Sequence, residues 1–578
     1  MRPFVRRALL TGLVASIPLI HLSLVGLVVK LDERDLVSGL LTIGATIPII
    51  ISLAAGYRAA TPMRIGEMVP PSRSTALVSG ALTGLVGGMV VALFVWIVDA
   101  FPVREVLISA SPKLVDVMRW GFDTTTGSMM LVAGATTIGL LGATLALLPP
   151  NLRRGALTGL VAVMGLALMQ TFVVQILTGL PLESLSDFLY ARDGMTEPGA
   201  AVTLVGLGAA GWAWAARGAQ LRGGFAGLRP GQRRTARFSG LGVALMILIT
   251  LPLFVGSFLA NALDTVGLYI LLGLGLNIVV GFAGLLDLGY VAFYAVGAYA
   301  TAVLTSPVSP ALTPQLDFWV AVPVVMMVAA FIGLTIGAPV LRLRGDYLAI
   351  VTLGFGEIAR IIFLSDWMTP YLGGAQGILQ VPAPQFFGID LRQPERLYYP
   401  ILAACIIAAV VAFSLASSRV GRAWTAMRED ETVAEATGIN TTKYKLLAFS
   451  LGATFGGLAG ALYAVRIGSV FPQELNLLVS INALALIILG GIGSIPGVIV
   501  GAIVLVGLPE LLREFSEYRL LIYGIVLVAM MLLRPEGLVP NRSRRAELHE
   551  GDQGDTQVWD EERWDRETGV ETPAPIIT

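Results

Sequence analysis

The sequence is short of cysteine, histidine and charge, and each shortage closes off a class of function. A single cysteine, Cys405, sits in an apolar run, which leaves no intrachain disulfide and no cysteine-based metal cluster. Two histidines argue against a histidine-rich metal or redox centre, and no metal is expected. Charged residues make up 13% of the 578 positions, where a soluble domain carries about 25%. Water is therefore not the main solvent. Lys and Arg balance Asp and Glu at 39 each, so chain-wide charge gives no sign of nucleic acid, and none is expected as a partner. The patterns GxxxxGK[ST], HExxH and GxSxG are absent, so neither a nucleotide site nor an enzyme is expected. The apolar runs hold no chain of carboxylates for proton pumping and no arginine ladder for voltage sensing. Moving a conformer from 1:99 to 99:1 takes about 5.5 kcal/mol of differential binding. A chain with no bound cofactor that transports actively has to take that work from a partner.

What is present is hydrocarbon: 55% hydrophobic residues and a mean hydropathy of +0.79. A bilayer core about 30 Å thick needs about 20 apolar residues per spanning helix. The chain reads as an all-α polytopic integral membrane protein of about 16 transmembrane or re-entrant helices, with N- and C-termini cytoplasmic. Arg2, Arg6 and Arg7 suggest a signal peptide, but the run at 8–29 is too long, so a retained first span is expected. Six segments, at 8–29, 36–57, 75–98, 128–148, 155–178 and 198–216, form an N-terminal membrane extension over 1–220. Their inner loops would hold fourteen basic residues against six outside, which suits an inside start. A Gly-rich basic stretch, 221–238, reads as a cytoplasmic linker that could also touch anionic membrane lipid. The core, 239–540, holds about ten segments: 241–260, 265–283, 288–305, 318–341, 347–364, 399–417, 446–464, 477–490, 496–510 and 518–533. This order puts loop 365–398 outside and loop 418–445 inside. Residues 541–578, ten acidic and five basic, read as a disordered cytoplasmic tail.

Two Gly-rich breaks interrupt the core: GLNIVVGFAGLLDLGYVAFYAVGAYA from Gly275 and LGGIGSIPGVIVGA from Leu489. Broken helices at membrane depth expose backbone groups that can line a solute path, whereas small residues can equally serve close helix packing. The candidate path residues are Asn277, Gly281, Gly284, Glu357, Asn482, Gly490, Gly491 and Gly493. Glu357 stands three residues from Arg360 and can pair with it on one helix face. Gly452, Gly456 and Gly460 recur every fourth position as a packing seam. Asp287 suits a helix end, and His21 a packing role. Loop 418–445 carries a polar helix with Arg422, Arg428, Glu429, Asp430, Glu431 and Glu435, stopping at Gly438, and it reads as a docking element for a cytoplasmic partner.

From about residue 240 to 540 the sequence resembles the LivM-type permease subunits of ABC importers for branched-chain amino acids. The segments that carry it are the two Gly-rich breaks, LRLRGDYLAIVTLGFGEIARI, LGGAQGI at 372–378, the Gly421–Tyr463 stretch and LLRPEGLVP at 532–540. The resemblance implies a multi-pass permease of a bacterial inner membrane. It also implies ABC ATPase subunits that use ATP, a second permease subunit of the LivH type and an extracytoplasmic solute-binding protein. Arg428 to Gly438 would be the coupling helix to the ATPase, although the family's loop pattern departs here to AEATGI. Residues 1–220 show no LivH-like signature. A urea or short-amide permease, a stand-alone transporter or channel, and a membrane scaffold remain as alternatives.

Overall fold

The computed structural model describes residues 2–61, 72–101, 107, 110–180, 182–227, 230–310, 313–340, 345–511, 524, 528, 530, 534 and 536–540. Among these, ten helices are long and apolar enough to cross a membrane, or up to twelve if each of two bent helix pairs is one span. The chain is thus a mostly helical, multi-pass membrane protein. It divides into two compact units, Met1–Ile247 and Leu248–Thr578.

The first unit contains α1 (Arg2–Leu24), α2 (Ile43–Ala60), α3 (Arg73–Ala100), α4 (Thr124–Leu147), α5 (Pro150–Leu168), α6 (Gln170–Gly179) and α7 (Glu197–Gly227). The expected 8–29 span ends at Leu24 because Gly26 turns the chain with φ +87°. The expected 36–57 span begins later. Asp35–Val37 and Leu41–Thr42 first pair as a small antiparallel hairpin, and the Thr42 hydroxyl then accepts from Ala45 N at 3.1 Å to open α2. Segment 155–178 is bent by 79° between α5 and α6. Small residues bring α2, α3 and α4 into backbone contact, since a Cβ on Gly56 or Gly84 would collide with the carbonyl of Gly139 or Ala135. The expected linker 221–238 is helical at 221–227 and from Pro230, where a first-turn proline loses no hydrogen bond.

The helix α8 (Pro230–Leu276) contributes its residues from Leu248 onward to the second unit, where it is broken at Gly256 (φ 70°, ψ 172°). Beyond the break the span Gly256–Phe282 finishes as a π-helix over Asn277–Phe282. There follow α9 (Val291–Thr305), α10 (Phe318–Val340), α11 (Asp346–Leu364), α12 (Pro394–Ser417), α13 (Arg419–Glu429), α14 (Glu431–Ala436), α15 (Thr441–Ile467), α16 (Leu477–Gly490) and α17 (Ile495–Ala502). The 15-residue α9 is about 22 Å long, short of a full crossing. Leu477–Gly490 and Ile495–Glu510 meet at 119°, so the expected 477–490 and 496–510 segments form a broken span or re-entrant loop. The expected 241–260 segment is a shorter apolar helix, Gly242–Phe254. The expected 518–533 segment falls almost wholly outside the described residues, and the 541–578 tail falls wholly outside them.

α15 is the axis of this unit. Gly452, Gly456 and Gly460 face α9: the Tyr290 hydroxyl donates to Gly452 O at 2.7 Å, and a Cβ on Gly460 would strike the Tyr294 carbonyl. Gly297 of α9 lies against the Gly457 backbone, and Gly457 in turn makes room for Ala329 of α10. The fully buried Phe449 and Trp424 fill the core around it. Reciprocal backbone bonds between Ile378 and Val470, at 3.0 and 2.9 Å, tie loop 365–398 to the connection after α15.

Candidate functional site

The polar loop between α12 and α15 folds as two short helices where one was expected. α13 opens on Ser418, whose hydroxyl accepts from Val420 N and Gly421 N. It buries Gly421, Ala423, Trp424 and Met427. The Trp424 indole donates to Tyr444 O at 2.8 Å, which fixes α13 to the start of α15. Asp430 then leaves helical geometry (φ −152°, ψ 111°), and its carboxylate accepts from Thr432 N at 2.8 Å and Val433 N at 3.0 Å. An aspartate competes well for those amides, so it ends one helix and caps the next. Gly438, at φ +89° with open space where a Cβ would stand, turns the chain toward α15.

The polar side chains expected to face a partner divide in two. Arg422, Glu429, Asp430 and Glu435 are exposed, as are Thr432 and Val433 beside them. Glu431 instead pairs with Lys445 at 2.6 Å, and that lysine's side chain is only 6% exposed. Arg428 also turns inward. Its Nη1 donates to Gly281 O at 3.0 Å, while Nη2 holds Glu429 Oε1 at 3.1 Å. The carbonyl it reaches lies in the π-helix, whose winding frees backbone oxygens from the regular ladder.

Around that contact the structure gathers residues 216 positions apart. Asn277 is 1% exposed, and its Oδ1 accepts from Gly493 N at 2.9 Å. Gly281 has no room for a Cβ beside that amide. Gly284 (φ +72°) would place a Cβ 2.6 Å from Arg428 Cγ, and Gly493 (φ +79°) would place one 3.6 Å from Arg428 Nη1. Asn277, Gly281, Gly284, Gly493 and Arg428 therefore form one junction between the π-helix, the α16–α17 turn and the end of α13. Gly490 and Gly491 adjoin it. Gly490 packs on Gly497, and the C-terminal segment donates Leu538 N to Leu489 O and Val539 N to Gly490 O, both at 2.9 Å.

Two expected path residues lie apart from this junction in their contacts. Glu357 pairs with Arg360 on α11 at 2.9 Å, both about one-third exposed. Asn482 lies half-buried on α16. Asp287 is buried and accepts from Gly289 N at 2.9 Å, as suits the helix end before α9.

At the other end of the same spans is a polar group that the sequence reading missed. Arg466, in the last turn of α15, donates from Nη2 to Asn261 Oδ1 at 3.0 Å, Thr265 Oγ1 at 2.7 Å and Asn261 O at 3.3 Å. Asp264 shares the α8 face of those two residues and is 0% exposed. Nearby, the Tyr463 hydroxyl bonds Glu474, and the Tyr463 ring packs at a tilt of 47° on Tyr294, centroids 5.2 Å apart. Residues 261–264 fall between the expected segments 241–260 and 265–283, yet NALD contains neither Gly nor Pro, which is the signal that the helix runs on.

Residues 258–533 match the family model described as branched-chain amino acid transport system / permease component. The chain is 40% identical over 333 residues to the high-affinity branched-chain amino acid transport system permease protein LivM of Escherichia coli K12, covering 54% of this chain and 76% of that protein. Against LivM of Salmonella typhimurium it is 40% identical over 330 residues, 53% of this chain and 76% of that protein. Pseudomonas aeruginosa BraD, a permease protein of the same kind of system, is 26% identical over 298 residues, 49% of this chain and 94% of that protein. No solved structure matches the chain significantly. A multi-pass helical architecture and 40% identity across three-quarters of LivM lead to one assignment: the chain belongs to the family of branched-chain amino acid transport system permease components.

Proposed function

We propose that this chain is a permease subunit of an ABC importer that carries a branched-chain amino acid by alternating access, driven by ATP hydrolysis in partner subunits. The observation that carries the proposal is the junction at Arg428. An exposed cytoplasmic face, formed by Glu429, Thr432, Val433 and Glu435, is connected through one guanidinium to the broken backbone at Gly281 and, beside it, Gly493. Force applied to α13 and α14 is thereby delivered to a π-helix and a glycine turn, which are elements that can rewind. The solute would pass along this broken backbone, including Gly490 and Gly491, with Glu357 and Asn482 bordering the route. The core arrangement carries both termini in the cytoplasm of a bacterial inner membrane. About sixteen membrane or re-entrant segments are proposed for the whole chain, six over 1–220 and about ten over 239–540. A LivH-type permease completes the pore, and a solute-binding protein delivers cargo to the outer loop 365–398.

The test is uptake of labelled leucine, isoleucine and valine by proteoliposomes holding the assembled complex, with and without ATP. Uptake that needs both ATP and binding protein supports the reading. Uptake of urea or short amides in place of leucine transfers the chain to that cargo, and ATP-independent uptake by the chain alone overturns it.

A further inference from the structure

Asp264 stands about 12 Å along the span that begins at Gly256. Both of its carboxylate oxygens are buried with no hydrogen-bond partner among the described residues. Carboxylates buried this way are costly unless something donates to them. Arg466 has the complementary defect, because its Nη2 is engaged while its Nε is buried without an acceptor. The charges that act on Asp264 are Arg466 and Glu395. Glu395 lines a surface cleft with Leu253, Ser257, Gln393 and Tyr399. On the other side of Arg466 are the Tyr294 and Tyr463 rings, Tyr269, and Glu474, which is held by the Tyr463 hydroxyl. An acceptor pair, a spare cationic donor and aromatic faces thus lie within one polar cluster between α8, α9 and α15.

We propose that this cluster is the subsite on the permease for the zwitterionic end of an α-amino acid, a reading that rests on the proposed importer function. The ligand's ammonium donates to Asp264, its carboxylate accepts from Arg466 Nε, and its apolar side chain lies toward the tyrosine rings. Each orphaned atom then gains a partner of opposite polarity. The subsite is some 17 residues, about 25 Å along the helix, from Gly281, at the opposite end of the span from the Arg428 junction. Cargo would be held here before it reaches the broken backbone.

The experiment is binding of labelled leucine to the purified complex without its binding protein, competed by two half-ligands. 3-Methylbutylamine carries only the ammonium, and 4-methyl-2-oxopentanoate only the carboxylate. Asp264→Asn is expected to weaken the amine about tenfold to a hundredfold while leaving the oxo acid unchanged. Arg466→Gln is expected to do the reverse. Co-purification of the ATPase controls for assembly, and Asp264→Glu, which keeps the charge but displaces it by a methylene, carries the same test should Asp264→Asn fail to assemble. Equal weakening of both half-ligands by either variant, or no change in either, overturns the subsite. If the native complex neither binds nor carries any neutral amino acid, the importer reading fails; if it does so while the variants behave as native, only the subsite fails.

Discussion

Arg428 would be assigned to the partner surface by polarity alone, and its position in the fold gives it another role. A guanidinium bonded to a buried carbonyl is a charge-assisted contact worth about 1.5–3 kcal/mol. Arg428→Ala should therefore leave the ATPase bound but cut leucine uptake per ATP hydrolysed by about tenfold or more. Gly284→Ala should act on the same link from the other side. Its φ of +72° costs an L-residue roughly 1–2 kcal/mol, and the new methyl would press on Arg428 Cγ. In the double variant that collision disappears, so the two losses should add to less than their sum, as a double-mutant cycle on uptake would read. Sequence polarity singled out Arg428 and Glu431, but it carries no direction. Only packing shows that one points onto the Gly281 carbonyl and the other onto Lys445.

At the scale of the element, loop 418–445 holds two helices hinged at Asp430. Asp430→Ala should remove a cap worth about 1 kcal/mol, loosen α14 and lower the yield of co-purified ATPase, whereas Asp430→Ser should restore it. The Glu431–Lys445 pair fastens α14 to the base of α15. Lys445→Met should destabilise the folded chain by about 3 kcal/mol at most, since Glu431 keeps a quarter of its side chain in contact with solvent, and thermal unfolding in detergent would register it. Long apolar helices such as α3, α4, α10 and α12 were legible from composition, because length and hydropathy set them. The breaks within them were legible only as glycine clusters. Where a helix bends, as at 79° and 119°, depends on contacts between segments far apart in sequence, and no local pattern encodes those.

For the whole molecule, the family model begins at residue 258 and the first compact unit ends at Ile247. A chain lacking residues 1–229 should therefore still assemble with the ATPase and take up leucine. Loss of uptake with assembly intact would give the first unit a part in transport. The molecular plan was readable in six collinear motifs, because close backbone approach constrains glycine wherever it occurs. Asp264 was not readable, since a charge beside an expected helix end looks like an ordinary loop residue. Its burial becomes apparent only once α8 runs through it and Arg466 arrives from α15.

The backbone bonds from Leu538 and Val539 to Leu489 and Gly490 also set an order of events during synthesis. The turn after α16, which holds Gly493 against Asn277, is braced by residues translated almost fifty positions later. A nascent chain can insert its earlier helices as they emerge, but it cannot finish this turn until Leu538 and Val539 have left the ribosome. Chains that terminate early would thus carry an unbraced glycine turn within an otherwise complete bundle, a defect that membrane quality control could detect before any partner subunit is recruited.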